Sequence, residues 1–263
     1  MRKTRLDILL VERGLVESPR KAQSLIMAGK VLVDDAVVDK PGKRFPEGTH
    51  VVIREGLPYV SRGGIKLEHA LDRFRVDLAG RIVADVGAST GGFTDCVLQR
   101  GASRVYAIDV GYGQFAWRLR QDPRVTVLER TNIRYLQGLP ELVDLTTVDV
   151  AFISLELVLP RVVSLVHGEG EILALVKPQF EARREQVLKG GVVKDPAVHR
   201  SVLEKVTAWA VAHALQVRGL IPSPLRGPAG NVEFFLYLTL REGLDSSSAD
   251  EAIASALAEA ESL

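Results

Sequence analysis

The sequence predicts a doubly wound α/β body behind a small α+β module, and three observations carry that prediction. From Gly80 to Glu242, apolar strand-like runs alternate with helix-like blocks. One of those strands, Arg81–Asp85, runs straight into a glycine-rich turn that opens an amphipathic segment. Charge is also divided unevenly: residues 1–66 hold 13 Lys and Arg against 8 Asp and Glu, whereas the rest hold 21 against 25. A basic module at the front of a body of different purpose makes a polyanion the candidate partner, with an ordinary solvated surface as the alternative on charge alone. On this reading the 263 residues divide into 1–60, 61–243 and an acidic 244–263.

In the basic module, Thr4 with Asp7 three residues on is expected to cap a first helix, whose face is Leu6, Leu9 and Leu10 and which Gly14 stops. Ser18-Pro19 starts a second, with serine as N-cap, proline at the first helical position and Ala22, Leu25 and Ile26 at helical spacing before Gly29. Val31, Val33, Val37 and Val38 flank Asp34-Asp35 as a short hairpin, and His50–Ile53 reads as a further strand. Arg5, Arg13, Arg20, Lys21, Lys30, Lys43 and Arg44 stay outside the apolar pattern and can coat the surface, as phosphate contacts require.

Residues 54–64, with three glycines and one proline, suit a linker. Lys66 then opens a helix with Leu67, Ala70, Leu71 and Phe74 on one face. Strands are expected near 82–86, 104–109, 125–128, 147–153, 171–176 and 233–240, the last two being near-continuous apolar runs of a sheet buried on both faces. The segment 244–263 has five acids and no basic residue, and Ser248 with Glu251 forms a capping box for a helix bearing Ile253 and Leu257.

Composition narrows the function classes. Hydrophobic residues at 46% and charged residues at 25% are ordinary globular usage, which argues against wholesale disorder or a fibrous repeat. A lone cysteine, Cys96, allows neither an internal disulfide nor a multi-cysteine zinc site and reads as a small buried filler. The five histidines, 50, 69, 167, 199 and 213, show no metal-ligand spacing, so no metal is implied. Asp7, Glu12 and Glu17 interrupt the first twenty residues, and no later stretch reaches 18 apolar residues without charge. A cytoplasmic protein without membrane spans is expected, and its oligomeric state stays open.

The turn after Asp85 reads Val86-Gly87-Ala88-Ser89-Thr90-Gly91-Gly92-Phe93-Thr94. Glycine there permits positive φ and close approach of a ligand, while the following helix N-terminus presents N–H groups. The turn lacks the Gly-Lys-Ser/Thr of a phosphate loop, and its glycine spacing departs from the dinucleotide pattern. An acid two residues before the first glycine would repel a pyrophosphate but suit the cationic methionine end of S-adenosylmethionine. The next strand ends at Asp109, 24 residues beyond Asp85, where a Rossmann-like sheet offers a carboxylate to ribose hydroxyls.

Methyl transfer to a hydroxyl needs a base, because an alcohol must shed its proton as it attacks. Asp149 in an apolar strand, Lys177 after the run Ile172–Val176, and Glu233 before Phe-Phe-Leu-Tyr-Leu all fall at expected strand positions. With Lys66 they make two lysines and two carboxylates able to converge on one site. Singly, each suits an ordinary structural salt bridge. Together they favour catalysis, since a partly desolvated lysine near a second ammonium loses its proton below the reference value of about 10.4.

Two resemblances add to this reading. Leu10-Val-Glu-Arg-Gly-Leu15 and Ser18-Pro-Arg-Lys-Ala-Gln-Ser-Leu-Ile-Met-Ala-Gly-Lys-Val-Leu-Val-Asp34 resemble the S4 type of RNA-binding module, which implies that Arg20, Lys21, Gln23 and Lys30 lie near phosphates. Val60-Ser-Arg-Gly-Gly-Ile-Lys66-Leu, Asp85–Asp95, Ala107-Ile-Asp109-Val-Gly-Tyr-Gly-Gln and Asp149-Val-Ala-Phe-Ile-Ser-Leu resemble the TlyA family, also called hemolysin A, over Thr4 to about Glu242. Ala151 departs from it, since serine is usual there. The resemblance implies an S-adenosylmethionine-dependent 2'-O-ribose methyltransferase acting on cytidine in ribosomal RNA, with a Lys66-Asp149-Lys177-Glu233 tetrad. In it Lys177 takes the 2'-hydroxyl proton, Asp149 sets its state, and Lys66 and Glu233 position the ribose. It further implies a cofactor loop from Asp85 to Thr94, Asp109 at the ribose and Asn132 near the adenine. The competing classes are an RNA-docking factor without turnover and a membrane-lytic protein.

Overall fold

The computed structural model describes residues 3–34, 36–53, 58–240 and 247–262. The chain forms two compact units, Met1–Ile65 and Lys66–Leu263.

The first unit begins with strand β1 (Lys3–Arg5), followed by helices α1 (Leu6–Glu12) and α2 (Pro19–Met27) and strands β2 (Val31–Val33), β3 (Ala36–Val37), β4 (Arg44–Pro46) and β5 (Val51–Ile53). Thr4 does not cap a helix. It is buried in the β1–β4 ladder opposite Phe45, and α1 starts without a side-chain cap. The local capping signal loses here to pairing with a segment some forty residues away, which no short window contains. Ser18 is the N-cap of α2, its hydroxyl accepting from the Lys21 N–H at 3.3 Å, with Pro19 in the first turn. The hairpin forms as β2 and β3, with β5 on the other side of β2; Asp35 of its turn lies outside the described residues. Leu6, Leu9, Leu10, Ala22, Ile26, Val31 and Val33 close a small core.

The glycine-rich linker is shorter than the composition suggests. Residues 54–57 lie outside the described residues, and helix α3 (Arg62–Phe74) begins at Arg62, not Lys66. Gly63-Gly64 does not break it, because Gly64 serves close packing: a Cβ there would sit 2.2 Å from Tyr59 Cγ. There follow β6 (Ile82–Val86), α4 (Gly92–Gln99), β7 (Arg104–Ile108), α5 (Trp117–Arg120), β8 (Val125–Leu128), β9 (Val143–Val148), α6 (Leu159–Val163), β10 (Val166–Val176), α7 (Pro178–Glu181), α8 (Pro196–Ala212), β11 (Gln216–Pro222), β12 (Phe234–Thr239) and α9 (Ser247–Ala260).

Seven strands form one sheet in the order β11-β12-β10-β9-β6-β7-β8, in which β8, β7, β6, β9 and β10 run parallel and β12 is antiparallel to both its neighbours. Chain direction across the sheet reverses between β6 and β9, the switch point where such sheets take ligands at their carboxyl ends. Alternation decides what faces where. Ala84, Val86, Ile172, Ala174, Val176, Phe234 and Leu236 join one core with α6, α8 and α9, while the buried Val83, Leu173, Leu175 and Phe235 are outside that cluster. Asp85 shares the phase of Val83.

Two strand expectations need correction. The fourth parallel strand is Val143–Val148, not 147–153, so Asp149 stands just past its end. β11 was not foreseen, since Arg218, Gly219 and Pro222 interrupt its alternation; at a sheet edge those residues are tolerated. The C-terminal helix forms and buries Ile253, Ala256 and Ala260, while residues 241–246 and the Ser248 side chain lie outside the described residues.

Candidate active site

The turn after β6 is built on positive φ at Gly87 (87°), Ser89 (50°) and Gly91 (94°). Gly87 is required twice over, because a Cβ there would also meet the Asp149 carbonyl oxygen at 2.4 Å. Backbone N–H groups of Gly87 and Ala88 donate to Ile108 O, at 2.8 and 3.1 Å, and that of Asp149 to Val86 O at 2.8 Å, so the ends of β6, β7 and β9 are locked together.

Asp85 is not where the sequence places it. Its carboxylate is fully buried beneath the turn, with Oδ2 accepting from Thr94 Oγ1 at 2.6 Å and Oδ1 from Thr147 Oγ1 at 3.2 Å. The Thr94 backbone N–H also bonds to it, so the acid caps α4 from within, near the positive end of that helix. Burial pushes its carboxyl up to about 7 against the opposing pull of Thr94, with the Asp149 charge raising it further. Thr94 is likewise buried, and Gly92 and Phe93 sit in the core side of the turn, with Phe93 stacked on Phe235 at 6.1 Å.

A cleft of about 660 Å³ opens above the carboxyl ends of β6, β7, β9 and β10. Gly87, Ser89, Asp109, Asn132, Asp149 and Lys177 all line it, whereas Asp85, Ala88, Thr90, Gly91, Gly92, Phe93 and Thr94 do not. Asp109 is held rigidly: Oδ2 accepts from Ser89 N at 2.7 Å, and Oδ1 from Gly111 N at 2.6 Å and Gln114 Nε2 at 3.1 Å. Asn132 Oδ1 caps the turn Ile133–Tyr135 by accepting from Arg134 N at 3.1 Å.

The four tetrad residues meet in two pairs. Lys177, at the end of β10, places Nζ 2.6 Å from Asp149 Oδ1, an ion pair without hydrogen-bond alignment. Lys66 Nζ donates to Glu233 Oε2 at 2.6 Å, with the residues only 8% and 1% exposed. Gly227 makes room for this acid, since a Cβ at that position would approach Glu233 Oε1 to 2.4 Å. Lys66 and Glu233 do not border the cleft.

Three contributors escaped the sequence reading. Gln114 steadies Asp109. Phe152 is 90% exposed at the cleft, holds φ at 61° and lies 4.9 Å from the Phe180 ring; its signal is an aromatic three residues after Asp149. Glu181 is buried four residues beyond Lys177 and shows no periodic signal at all.

In the first unit, Arg5, Arg13 and Gln23, three of the residues expected at RNA, hold the unit itself together. Arg5 grips the buried Asp7 with Nε and Nη2 at 3.0 and 2.7 Å, and Gln23 Nε2 donates to the same carboxylate at 2.9 Å. The Arg5 guanidinium holds the Asp7 carboxyl below the usual range, against its burial. Arg13 donates to the carbonyls of Thr49, at 2.8 Å, and Glu47. Arg20 and Lys21 are exposed on α2, and Lys30 is half-buried just beyond it. Among the described residues no group of three or more His, Cys, Asp or Glu could hold a metal ion, and no helix is long and apolar enough to cross a membrane.

The chain resembles known proteins over nearly its whole length. Residues 59–240 match the FtsJ-like methyltransferase family and residues 4–51 the S4 domain. The chain is 50% identical over 244 residues to YqxC of Bacillus subtilis, a candidate rRNA methyltransferase, covering 90% of this chain and 86% of that protein. It is 45% identical over 264 residues to the 16S/23S rRNA (cytidine-2'-O)-methyltransferase TlyA of Mycobacterium tuberculosis, covering 98% of each. A solved structure of a candidate hemolysin from Streptococcus thermophilus superposes with a TM-score of 0.75 at 43% identity, covering 100% of this chain and 98% of that one. The glycine turn, the acid at the next strand end and the paired lysines thus stand in a chain that belongs to the TlyA, or hemolysin A, group of FtsJ-like methyltransferases, with an S4 domain at its front.

Proposed function

We propose that the chain transfers a methyl group from S-adenosylmethionine to the 2'-hydroxyl of a cytidine in ribosomal RNA, with Lys177 as base. The observation that carries the reading is the Lys177–Asp149 pair at 2.6 Å on the wall of a cleft that also presents Asp109. The cleft volume falls in the range of small-molecule sites. A glycine turn that brings backbone to its edge, and an acid at the second strand end, suit an adenosyl group with its ribose. S-adenosylmethionine, when bound, supplies an electrophilic methyl on a sulfonium. Asp109, already oriented by three donors, would hold the ribose hydroxyls, and Asn132 the adenine edge. Asp85 acts from below, through Thr94, as the anchor of the loop and not as a direct contact.

Once its own proton has passed to solvent through the cleft, the Lys177 amine accepts the 2'-hydroxyl proton as the oxygen bonds to the methyl carbon and the carbon–sulfur bond breaks. The ammonium so formed meets the Asp149 carboxylate already in place, so charge developing in the transition state finds a fixed counter-charge. Lys66 and Glu233 hold the surroundings of the ribose as a second, buried pair. Phe152, exposed at the cleft with a strained backbone, offers its ring for stacking on an RNA base. The S4 unit supplies phosphate contacts through Arg20, Lys21 and Lys30, with Arg5, Arg13 and Gln23 contributing as far as their structural bonds leave them available.

The test is transfer of labelled methyl from S-adenosylmethionine to unmodified ribosomal RNA or subunits, with the product mapped by mass spectrometry. A 2'-O-methylcytidine that disappears with Lys177→Ala supports the reading. Unlabelled RNA, or label on a base atom, overturns it.

A further inference from the structure

The Lys177–Asp149 geometry depends on two separate chain segments that converge without being paired strands at that level. Asp149 starts the loop 149–153 after β9, and Lys177 is the residue before the short helix α7. Glu181 joins them. Its side chain is 1% exposed, and its two oxygens are divided between partners on the other segment: Oε2 accepts from Ser154 Oγ at 2.6 Å and Oε1 from Leu155 N at 2.7 Å. Ser154 in turn caps the turn Leu155–Leu157 by accepting from Glu156 N at 3.3 Å. Lys205 on α8 stands 3.8 Å from Glu181 Oε2 and 3.4 Å from Glu156, so the acid has a counter-charge outside the site.

We propose that Glu181 is a positioning residue for methyl transfer: by tying Ser154 and Leu155 to the helix that follows Lys177, it fixes the Asp149 loop against the base. The inference rests on the function proposed above and adds a residue to it. The physical case is one of cost. A buried carboxylate is expensive to desolvate and is retained only where several donors hold it. Here the donors are a hydroxyl and an N–H directly after the loop that carries both Asp149 and the strained Phe152. Without the clamp, that loop is left to the exposed Phe152–Phe180 ring contact and to the Lys177–Asp149 pair, and the pair cannot both set the geometry and respond to the proton.

Glu181→Gln keeps the shape and one acceptor, Glu181→Ala removes both, and Ser154→Ala removes one bond from the opposite side. A displacement of about 1 Å at a reacting group costs on the order of a hundredfold in rate. Single-turnover methyl transfer is therefore expected to fall about a hundredfold in Glu181→Ala and about tenfold in Glu181→Gln and Ser154→Ala. Dissociation constants for S-adenosylmethionine and RNA should stay within about threefold of the starting protein. The Gln and Ser variants keep the test open should the Ala variant not fold. Single-turnover rates within about twofold in Glu181→Gln and Ser154→Ala would overturn the proposal, as would rate, both affinities and thermal midpoint falling together. If the unaltered chain transfers no methyl group to RNA, the underlying function fails instead.

Discussion

Replacing Glu233 by alanine should separate what the Lys66–Glu233 pair does for the fold from what it does for the reaction. The ammonium and carboxylate are 2.6 Å apart and their side chains are 10% and 1% exposed, so neither can turn to water when the other is lost. Removing one partner of a buried pair leaves an uncompensated charge and costs about 3–5 kcal/mol. For a unit of this size each kcal/mol moves the midpoint by about 2–4 °C, so a fall on the order of 10 °C is expected. Lys66→Met with Glu233→Leu removes both charges, and apolar replacement of such a pair is commonly neutral or stabilising. The double variant should therefore regain the midpoint of the starting protein while methyl transfer to RNA stays lost. Thermal unfolding and methyl incorporation on the same three proteins decide the matter. A double variant that is both stable and fully active would reduce the pair to a structural salt bridge; a Glu233→Ala midpoint within about 2 °C would refute the burial argument.

Gly87→Ala should cut the transfer rate on the order of a hundredfold, because its Cβ would lie 2.4 Å from the Asp149 carbonyl oxygen at a φ of 87°, and single-turnover kinetics checks this. Arg20→Ala with Lys21→Ala should lower the slope of log affinity for RNA against log salt by about 2, whereas Arg13→Ala should act first on the thermal stability of the S4 unit. Equal slopes for the double variant and the starting protein would remove α2 from the interface. Asp85, whose carboxyl is raised to about 7 by burial, holds its proton more tightly folded than unfolded. Its contribution to stability is present below about pH 4 and lost as pH rises through about 7, on the order of 4 kcal/mol. Asp85→Asn should flatten that part of the stability curve, and superimposable curves for the two proteins would contradict it.

What the sequence shows of the fold is the periodicity of buried strands and the glycine turn, because both are local. The β6 turn, the Ser18 cap of α2 and the β2–β3 hairpin are legible for that reason. Thr4 misleads because its strand partner, Phe45, is remote. β11 hides because an edge strand tolerates the arginine, glycine and proline that disguise it. At the site, residue types at strand ends point to Lys177, Asp149 and Asp109, all of which line the cleft. For Asp85 the alternation itself carries the signal: along Ile82–Val86 it is in phase with Val83 and hence faces the α4 layer, not the cleft. Glu181 is beyond reach, since its partners Ser154 and Leu155 come near only in the folded chain, whereas Gln114 stands five residues after Asp109 and its role lies in the hydrogen bond it donates there.

The two ion pairs look interchangeable in sequence, yet their settings assign them different work. A base that takes a proton in each cycle must return it to solvent before the next, so its pair needs a route to water. Lys177 and Asp149 have one, bordering the cleft with side chains 13% and 24% exposed. Glu233 is sealed at 1%, and neither it nor Lys66 lines the cleft, so this pair does not share the route to water that the cleft gives Lys177 and Asp149. The same exposure explains why the accessible pair needs external support. Asp149 sits on a loop anchored at one end by its N–H to Val86 and at the other by Glu181, and with both ends held, water can reach the carboxylate without loosening its distance to Lys177. On the proposed mechanism, accessibility for proton release and rigidity for proton capture are met by different residues, so the proposal extends the site beyond the four that carry charge at its centre.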